Sequence, residues 1–238
     1  MTPLLYATIA ALGNVAGGLV VIRGAKAGLR FIDGCVAFGA GFMVAVALLG
    51  MLPHAFALGG ENAAVFVLLG YLLVHFTQHT LVPHFHFGEE THHISKVTGV
   101  SALGGLLLHT FFDGVAIASG FAVSSELGLL LFVAILLHKL PEGVTISSIQ
   151  LAGGMGATYA VGSAGLLGLA TVVGVLSHGS VGFLAAHGLA LSAGVTIYVA
   201  ASNLVPEFQH RRGRWMPLMF FAGAGSYFVA QMLLAEFG

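Results

Sequence analysis

Apolar stretches of about 20 residues, each long enough to cross a bilayer as a helix, recur along the whole chain. They fall at roughly 4–22, 35–56, 62–82, 97–121, 127–150, 157–177, 183–206 and 217–236. The connections are short, and the longest polar stretch is about 83–96. This pattern predicts an all-α membrane protein with eight transmembrane helices, organised as a single transmembrane domain over 1–238. No small-residue cleavage site stands out after 4–22, so that segment is expected to remain as a span.

Composition removes the soluble alternative. Charged residues make up 7% of the chain, against about 25% in a soluble domain. A water-facing surface cannot be covered with so few charges, so most of this surface must face lipid. The 35 glycines fit the same setting, because small residues let membrane helices approach closely. A net charge of −1 argues against nucleic acid as a partner. Cys35 is the only cysteine, so no intrachain disulfide is possible.

The basic residues give a direction. Arg23, Lys26 and Arg30 lie between the first two spans, Lys96 between the third and fourth, and Arg211, Arg212 and Arg214 between the last two. In an eight-span chain all three connections lie on one face, and losing a span would scatter them. By the positive-inside rule that face is cytoplasmic, which places both termini outside the cytoplasm. The expected location is a cell membrane, plasma or inner, crossed several times.

The candidate chemistry sits in spans four and five. One contains His109, Asp113, Gly114 and Ser119; the other contains His138, Glu142, Gly143 and Ser148 in the same register. The two spans run in opposite directions, so this is an inverted-repeat pattern, and transporters place substrate sites at such interfaces. A weaker match relates Gly41 to Pro53-His54 in span two with Gly194 to Pro206-Glu207 in span seven. Residues four apart share a helix face, so each helix presents an imidazole and a carboxylate one turn apart. His109, Asp113, His138 and Glu142 together suit zinc, and also iron, manganese or cobalt; calcium and magnesium prefer all-oxygen shells. Pro141 leaves the carbonyl of Leu137 without its helical donor, which could open room for an ion. A lone intramembrane His is as readily an interhelical hydrogen bonder as a ligand. Acids at the midplane cost a few kcal/mol, and two acids with two His in a repeated register favour a metal.

These segments resemble the ZIP (Zrt/Irt-like protein) family of divalent metal transporters, here a short member of bacterial type. His109–Gly114 and His138–Gly143 look like the family's HNxxDG and HxxPEG motifs, and Gly194–Glu207 looks like its seventh helix. The resemblance implies a carrier that moves zinc, or cadmium, iron, manganese or cobalt, into the cytoplasm. It also implies a homodimer and an elevator-like exchange of access. Carried over by position, His109, His138 and Glu142 are ligands, and Asp113 is a ligand, an orienting group or a pathway residue. Two positions depart from the pattern: Thr110 replaces the Asn after the first His, and Lys139 stands where many members have Asn, Asp or Glu. In members with two adjacent metals these positions build the second site. The expectation here is therefore a single metal, with the Lys139 ammonium substituting for the second ion or pairing with Glu142 or Asp113.

Other polar positions suggest a path. His54 lies at the outer mouth, Glu207 at the inner mouth, and Ser202 and Asn203 a turn before Glu207. His75 and His79, then His84, His86, His92 and His93, form a His-rich cytoplasmic region that would collect metal, with the loop itself at 83–96. Its alternative is a solvated loop without function. His178 and His187 are expected at the surface. The chain is not expected to be an enzyme. Two competing readings are an intramembrane zinc hydrolase, with Glu142 as general base on a metal-bound water, and a passive metal channel.

Overall fold

The computed structural model describes residues 2–23, 29–78, 96–206 and 214–237, and these are almost wholly helical. The helices are α1 (Pro3–Ile22), α2 (Leu29–Ala45), α3 (Leu52–Gly59), α4 (Asn62–Phe76), α5 (Lys96–Val123), α6 (Ser125–Ala152), α7 (Ala157–Ser180), α8 (Gly182–Tyr198) and α9 (Trp215–Phe237). A π-helical turn, Val46–Met51, joins α2 to α3, so span two is continuous over Val36–Gly59. A second π turn, Val199–Leu204, prolongs α8. Among the described residues, seven helices are long and apolar enough to cross a bilayer, and the chain is a multi-pass membrane protein. The expected span at 62–82 is represented by the 15 residues of α4, about 22 Å of helix at 1.5 Å per residue. Residues 79–82 lie outside the described part.

Local chemistry explains the turns. Ser124 alone separates α5 from α6; its extended backbone and its Oγ, accepting from Leu127 N at 3.1 Å, form an N-cap that starts α6 at once. Gly60 and Gly154 adopt positive φ (56° and 77°) at the α3–α4 and α6–α7 turns, a conformation open to glycine without strain. The two π turns share one cause. Pro53 and Pro206 lack the N–H that a normal turn would donate back, and immediately before each the ladder shifts. Leu52 N donates to Ala47 O, and Val205 N to Ala200 O, five residues back. A single offset of 153 residues relates Gly41 to Gly194, Pro53 to Pro206 and one π turn to the other.

Four helix pairs are held in closest approach by reciprocal glycines. A Cβ at Gly17 would overlap Leu140 O, and one at Gly143 would overlap Asn14 O, locking α1 to α6. Gly114 and Gly174 do the same for α5 and α7, against Thr171 O and Phe111 O. Gly41 and Gly223 join α2 to α9, and Gly70 and Gly194 join α4 to α8. Exchanging span one with six, two with seven, three with eight and four with five maps this set of pairs onto itself. The repeat suspected from two short motifs thus extends through the packing. The result is two groups: α1, α5, α6 and α7 in one, and α2, α3, α4, α8 and α9 in the other, meeting where α5 lies on α8 and α2 on α6. Exposed apolar side chains such as Leu68, Phe221 and Met232 cover the outside, as lipid contact requires.

Candidate metal centre

α5 and α6 cross with their motif faces together. His109, Asp113, His138, Lys139 and Glu142 are all buried, Lys139 at 0% exposure. Asp113 Oδ2 is the hub: it lies 3.4 Å from His109 Nε2, 3.3 Å from His138 Nε2 and 2.6 Å from Lys139 Nζ. Lys139 Nζ also reaches Glu142 Oε2 at 2.7 Å. Thr110 Oγ1 lies 2.8 Å from Glu142 Oε1 and 2.6 Å from Leu106 O. The ammonium therefore bridges the two carboxylates, pairing with both Asp113 and Glu142. With both acids and the ammonium ionised and the imidazoles neutral, the cluster carries a formal charge of −1, and burial makes an unpaired charge costly.

The geometry of the three ligand-type groups is informative. Zinc bonds nitrogen at about 2.0–2.1 Å and oxygen at about 2.0–2.2 Å, so a tetrahedral shell has edges of about 3.4 Å. The two Nε2–Oδ2 separations, 3.4 and 3.3 Å, have that length, and the ligand atoms of His109, Asp113 and His138 all lie within 4.8 Å of one another. His138 Nδ1 sits 3.0 Å from Ala134 O. A carbonyl only accepts, so Nδ1 carries the proton, and in the neutral ring Nε2 turns a lone pair toward Asp113 Oδ2. Asp113 Oδ2, which faces that nitrogen, is held by the Lys139 ammonium at 2.6 Å. A second partner such as Ala134 O is a usual companion of metal-ligating His. His109 Nδ1 is buried with no such partner.

Asn14 of α1, fully buried, is a participant that the motif search missed. With its amide nitrogen turned toward α6 it donates to Lys139 O (2.6 Å) and Glu142 Oε2 (3.2 Å), while its oxygen accepts from Gly168 N (3.3 Å). The available signal was a lone amide inside an otherwise apolar span, since polar groups there need partners.

A cavity of about 40 Å³ opens from this cluster between the two helix groups, lined by His109, His138, Glu142, Thr145, Asn203 and Val36 among others. It extends toward the end of the bundle that carries Arg23, Lys96 and Arg214. Asn203 therefore lies against it, on the second π turn. Ser202, beside it, directs its hydroxyl to Tyr71 Oη at 3.3 Å. His54 is exposed in α3, its Nδ1 2.7 Å from Gly50 O. His75, in α4, packs its ring edge-on against Tyr198 at 5.7 Å. Glu207, His79, His84, His86, His92 and His93 lie outside the described residues. Several hydroxyls bond between helices: Ser147 to Ala160 O, and Ser192 to Phe112 O, both at 3.1 Å. Pro141 is itself part of the cavity lining. α6 runs unbroken through this proline, and Gly39 of α2 packs beside the Leu137 carbonyl. His178 and His187, expected at the surface, are half-buried and line a second cavity at the opposite end of the bundle.

Comparison with known proteins gives the family. The ZIP zinc transporter family matches over residues 88–231, more than half of the chain. The chain belongs to the ZIP zinc transporter family. The zinc transporter ZIP13 of Pongo abelii is 32% identical over 136 residues, covering 52% of this chain and 42% of that protein. Human zinc transporter ZIP6 is 31% identical over 54% of this chain and 18% of its own length. Zinc transporter SLC39A7 of Canis lupus familiaris is 30% identical over 62% of the chain and 34% of its length. The chain thus spans less than half the length of these curated relatives. Membership of a transporter family leaves the hydrolase reading without support, and this ZIP chain is not an enzyme.

Proposed function

We propose that this ZIP chain, as one transporter domain over 1–238, carries divalent transition metal ions, zinc first, across a plasma or inner membrane into the cytoplasm. The observation that carries the reading is Asp113 Oδ2 lying 3.4 Å from His109 Nε2 and 3.3 Å from His138 Nε2, two separations of tetrahedral-edge length, buried where two helix groups meet. Glu142, now held by Lys139 and Thr110, is the group that would turn to complete the shell. Cadmium, iron, manganese and cobalt share the same ligand preference.

The finer parts follow from this. The eight-span topology, with both termini outside the cytoplasm, rests on the basic residues Arg23, Lys96 and Arg214 lying at one end. The cavity at Asn203 then faces the cytoplasm, with Glu207 and the His-rich 83–96 region beyond it as the release side, and His54 at the uptake side. The division into two groups supports an elevator-like shift of α1, α5, α6 and α7 against the others, with a second copy of the chain steadying the latter. Lys139 limits the centre to one metal, because its ammonium already neutralises the carboxylate pair.

Uptake into proteoliposomes holding the purified chain tests the proposal, with zinc, cadmium, iron, manganese and cobalt compared. Saturable zinc uptake, lost in His138→Ala and Glu142→Ala, is the expected result. Unchanged flux in both folded variants defeats it, and flux without saturation at low metal favours a channel. Deleting 84–93 is expected to leave uptake measurable. Two metal ions per protomer at the centre would refute the single-metal reading.

A further inference from the structure

At the end of the bundle opposite the basic residues, α3, α4, α5, α7 and α8 line a cavity of about 330 Å³. At about 30 Å³ per water it has room for roughly ten waters, enough for a cation with its first hydration shell. Its walls are mostly alanine with a few larger apolar side chains such as Leu58 and Leu189, and three polar residues: Ser119 of α5, His178 of α7 and His187 of α8. Ser119 is 3% exposed, and its Oγ has no hydrogen-bond partner among the described residues. A buried hydroxyl is seldom left so without a ligand or water to meet it. His187 is held by stacking on Phe66, ring centroids 3.9 Å apart and 17° from parallel, with Phe183 against its edge at 5.2 Å. The ring is thus fixed at the cavity wall. His178 approaches from the facing group. At Gly188 the missing side chain brings α8 close to both Ser119 and His178. The cavity therefore straddles the same interface as the metal centre, one imidazole on each side of it.

We propose that this vestibule is a second cation site, where His178 and His187 hold a partly hydrated divalent transition metal ion. Among the described residues imidazole is the only strong ligand type lining the cavity, so the site discriminates against calcium and magnesium. No carboxylate among the described residues lines it, so it binds more weakly than the buried centre and releases readily. Its role as the uptake-side loading point rests on the transport reading; its existence as a site does not.

The test uses Co²⁺ absorption on the full chain in detergent, because the d–d bands report imidazole ligation. In a His109→Ala/His138→Ala background, adding His178→Ala/His187→Ala is expected to remove one Co²⁺ equivalent. His178→Gln/His187→Gln, which keeps size and polarity, serves if the alanine pair does not fold. In proteoliposomes with His109 and His138 intact, the same paired change is expected to raise KM for zinc about fivefold or more with kcat unchanged, the pattern for lost uniform binding. No loss of Co²⁺ in the background overturns the site. A lost Co²⁺ equivalent with unchanged KM overturns its loading role. A chain that takes up no metal at all, yet still loses its Co²⁺ equivalent with the vestibule histidines, supports the site while defeating the transport proposal.

Discussion

The two cavities at the helix-group interface differ in a way that separates holding a metal from receiving one. Near His109, His138 and Glu142 the space is about 40 Å³, barely more than one water, and the surroundings are charged. At His178 and His187 it is about 330 Å³, with no Asp, Glu, Lys or Arg among the described residues that line it. A small charged site exchanges the ion's water for protein ligands; a roomy, nearly neutral one leaves most water in place. Dehydrating a divalent ion is costly and is compensated only where fixed charges and lone pairs replace the water. The structure gives that compensation to the buried centre alone.

The largest effect should come from removing the centre's ligands. His109→Ala or His138→Ala deletes one corner of the three-atom triangle, and zinc uptake is expected to fall about a hundredfold or more, beyond the 10–100-fold typical of outer-shell changes. The vestibule substitutions, by contrast, should move KM and leave the maximal rate. If the two classes of variant gave the same kinetic signature, the contrast between the cavities would have no functional meaning.

Lys139→Ala sharpens the same contrast from the charge side. Removing the ammonium takes from the buried Asp113 and Glu142 the counter-ion they share, a change that typically costs about 3–5 kcal/mol. A second divalent ion would restore the balance. Thermal melts should therefore show a lower Tm for the metal-free variant and a larger zinc-induced rise than in the unmodified chain. Metal analysis should move from one ion to two. A variant that melts normally without metal would show that the ammonium is not the internal counter-ion.

The glycine contacts come next. Gly114→Ala and Gly143→Ala place a methyl group on Thr171 O and Asn14 O, so the helices must part, and overpacking of this kind costs about 1–3 kcal/mol. Because α5 and α6 move with the change, uptake should fall along with stability. Gly104→Ala, on the same helix but with nothing within 4 Å, is the control and should do neither.

What could be read from the sequence followed the range of the interactions. Residues His109, Asp113, His138 and Glu142 declared themselves because i, i+4 spacing is a local, one-helix property. The Gly41–Pro53 and Gly194–Pro206 match looked weak as letters, since both residue types are common in membrane helices, yet it corresponds to two matched π turns. Asn14 could not be assigned, because its partner lies 125 positions away on α6 and only the α1–α6 crossing brings them together. His178 and His187 are half-buried for a similar reason. A connection reduced to the single residue Val181 folds the end of α7 and the start of α8 over one another, so apparent loop residues become cavity walls. The orientation of Lys139 was left between two acids by sequence; the geometry gives it both.

The smallest of these effects concerns Thr110. Its hydroxyl lies between Leu106 O and Glu142 Oε1 at 2.6 and 2.8 Å, so with Lys139 and Asn14 it helps hold the Glu142 carboxylate away from the His–Asp triangle. Thr110→Val keeps the shape and removes the hydroxyl. A net hydrogen bond is worth roughly 1 kcal/mol, or about a fivefold change in an equilibrium. If the hydroxyl steadies Glu142 in its metal-free position, losing it should make the carboxylate easier to recruit, and zinc should bind a few-fold more tightly. If instead it orients Glu142 for the metal, binding should weaken by a similar factor. Zinc titration of the purified variant reads the sign directly. The geometry favours tighter binding, because Glu142 as observed faces Lys139 and not the triangle.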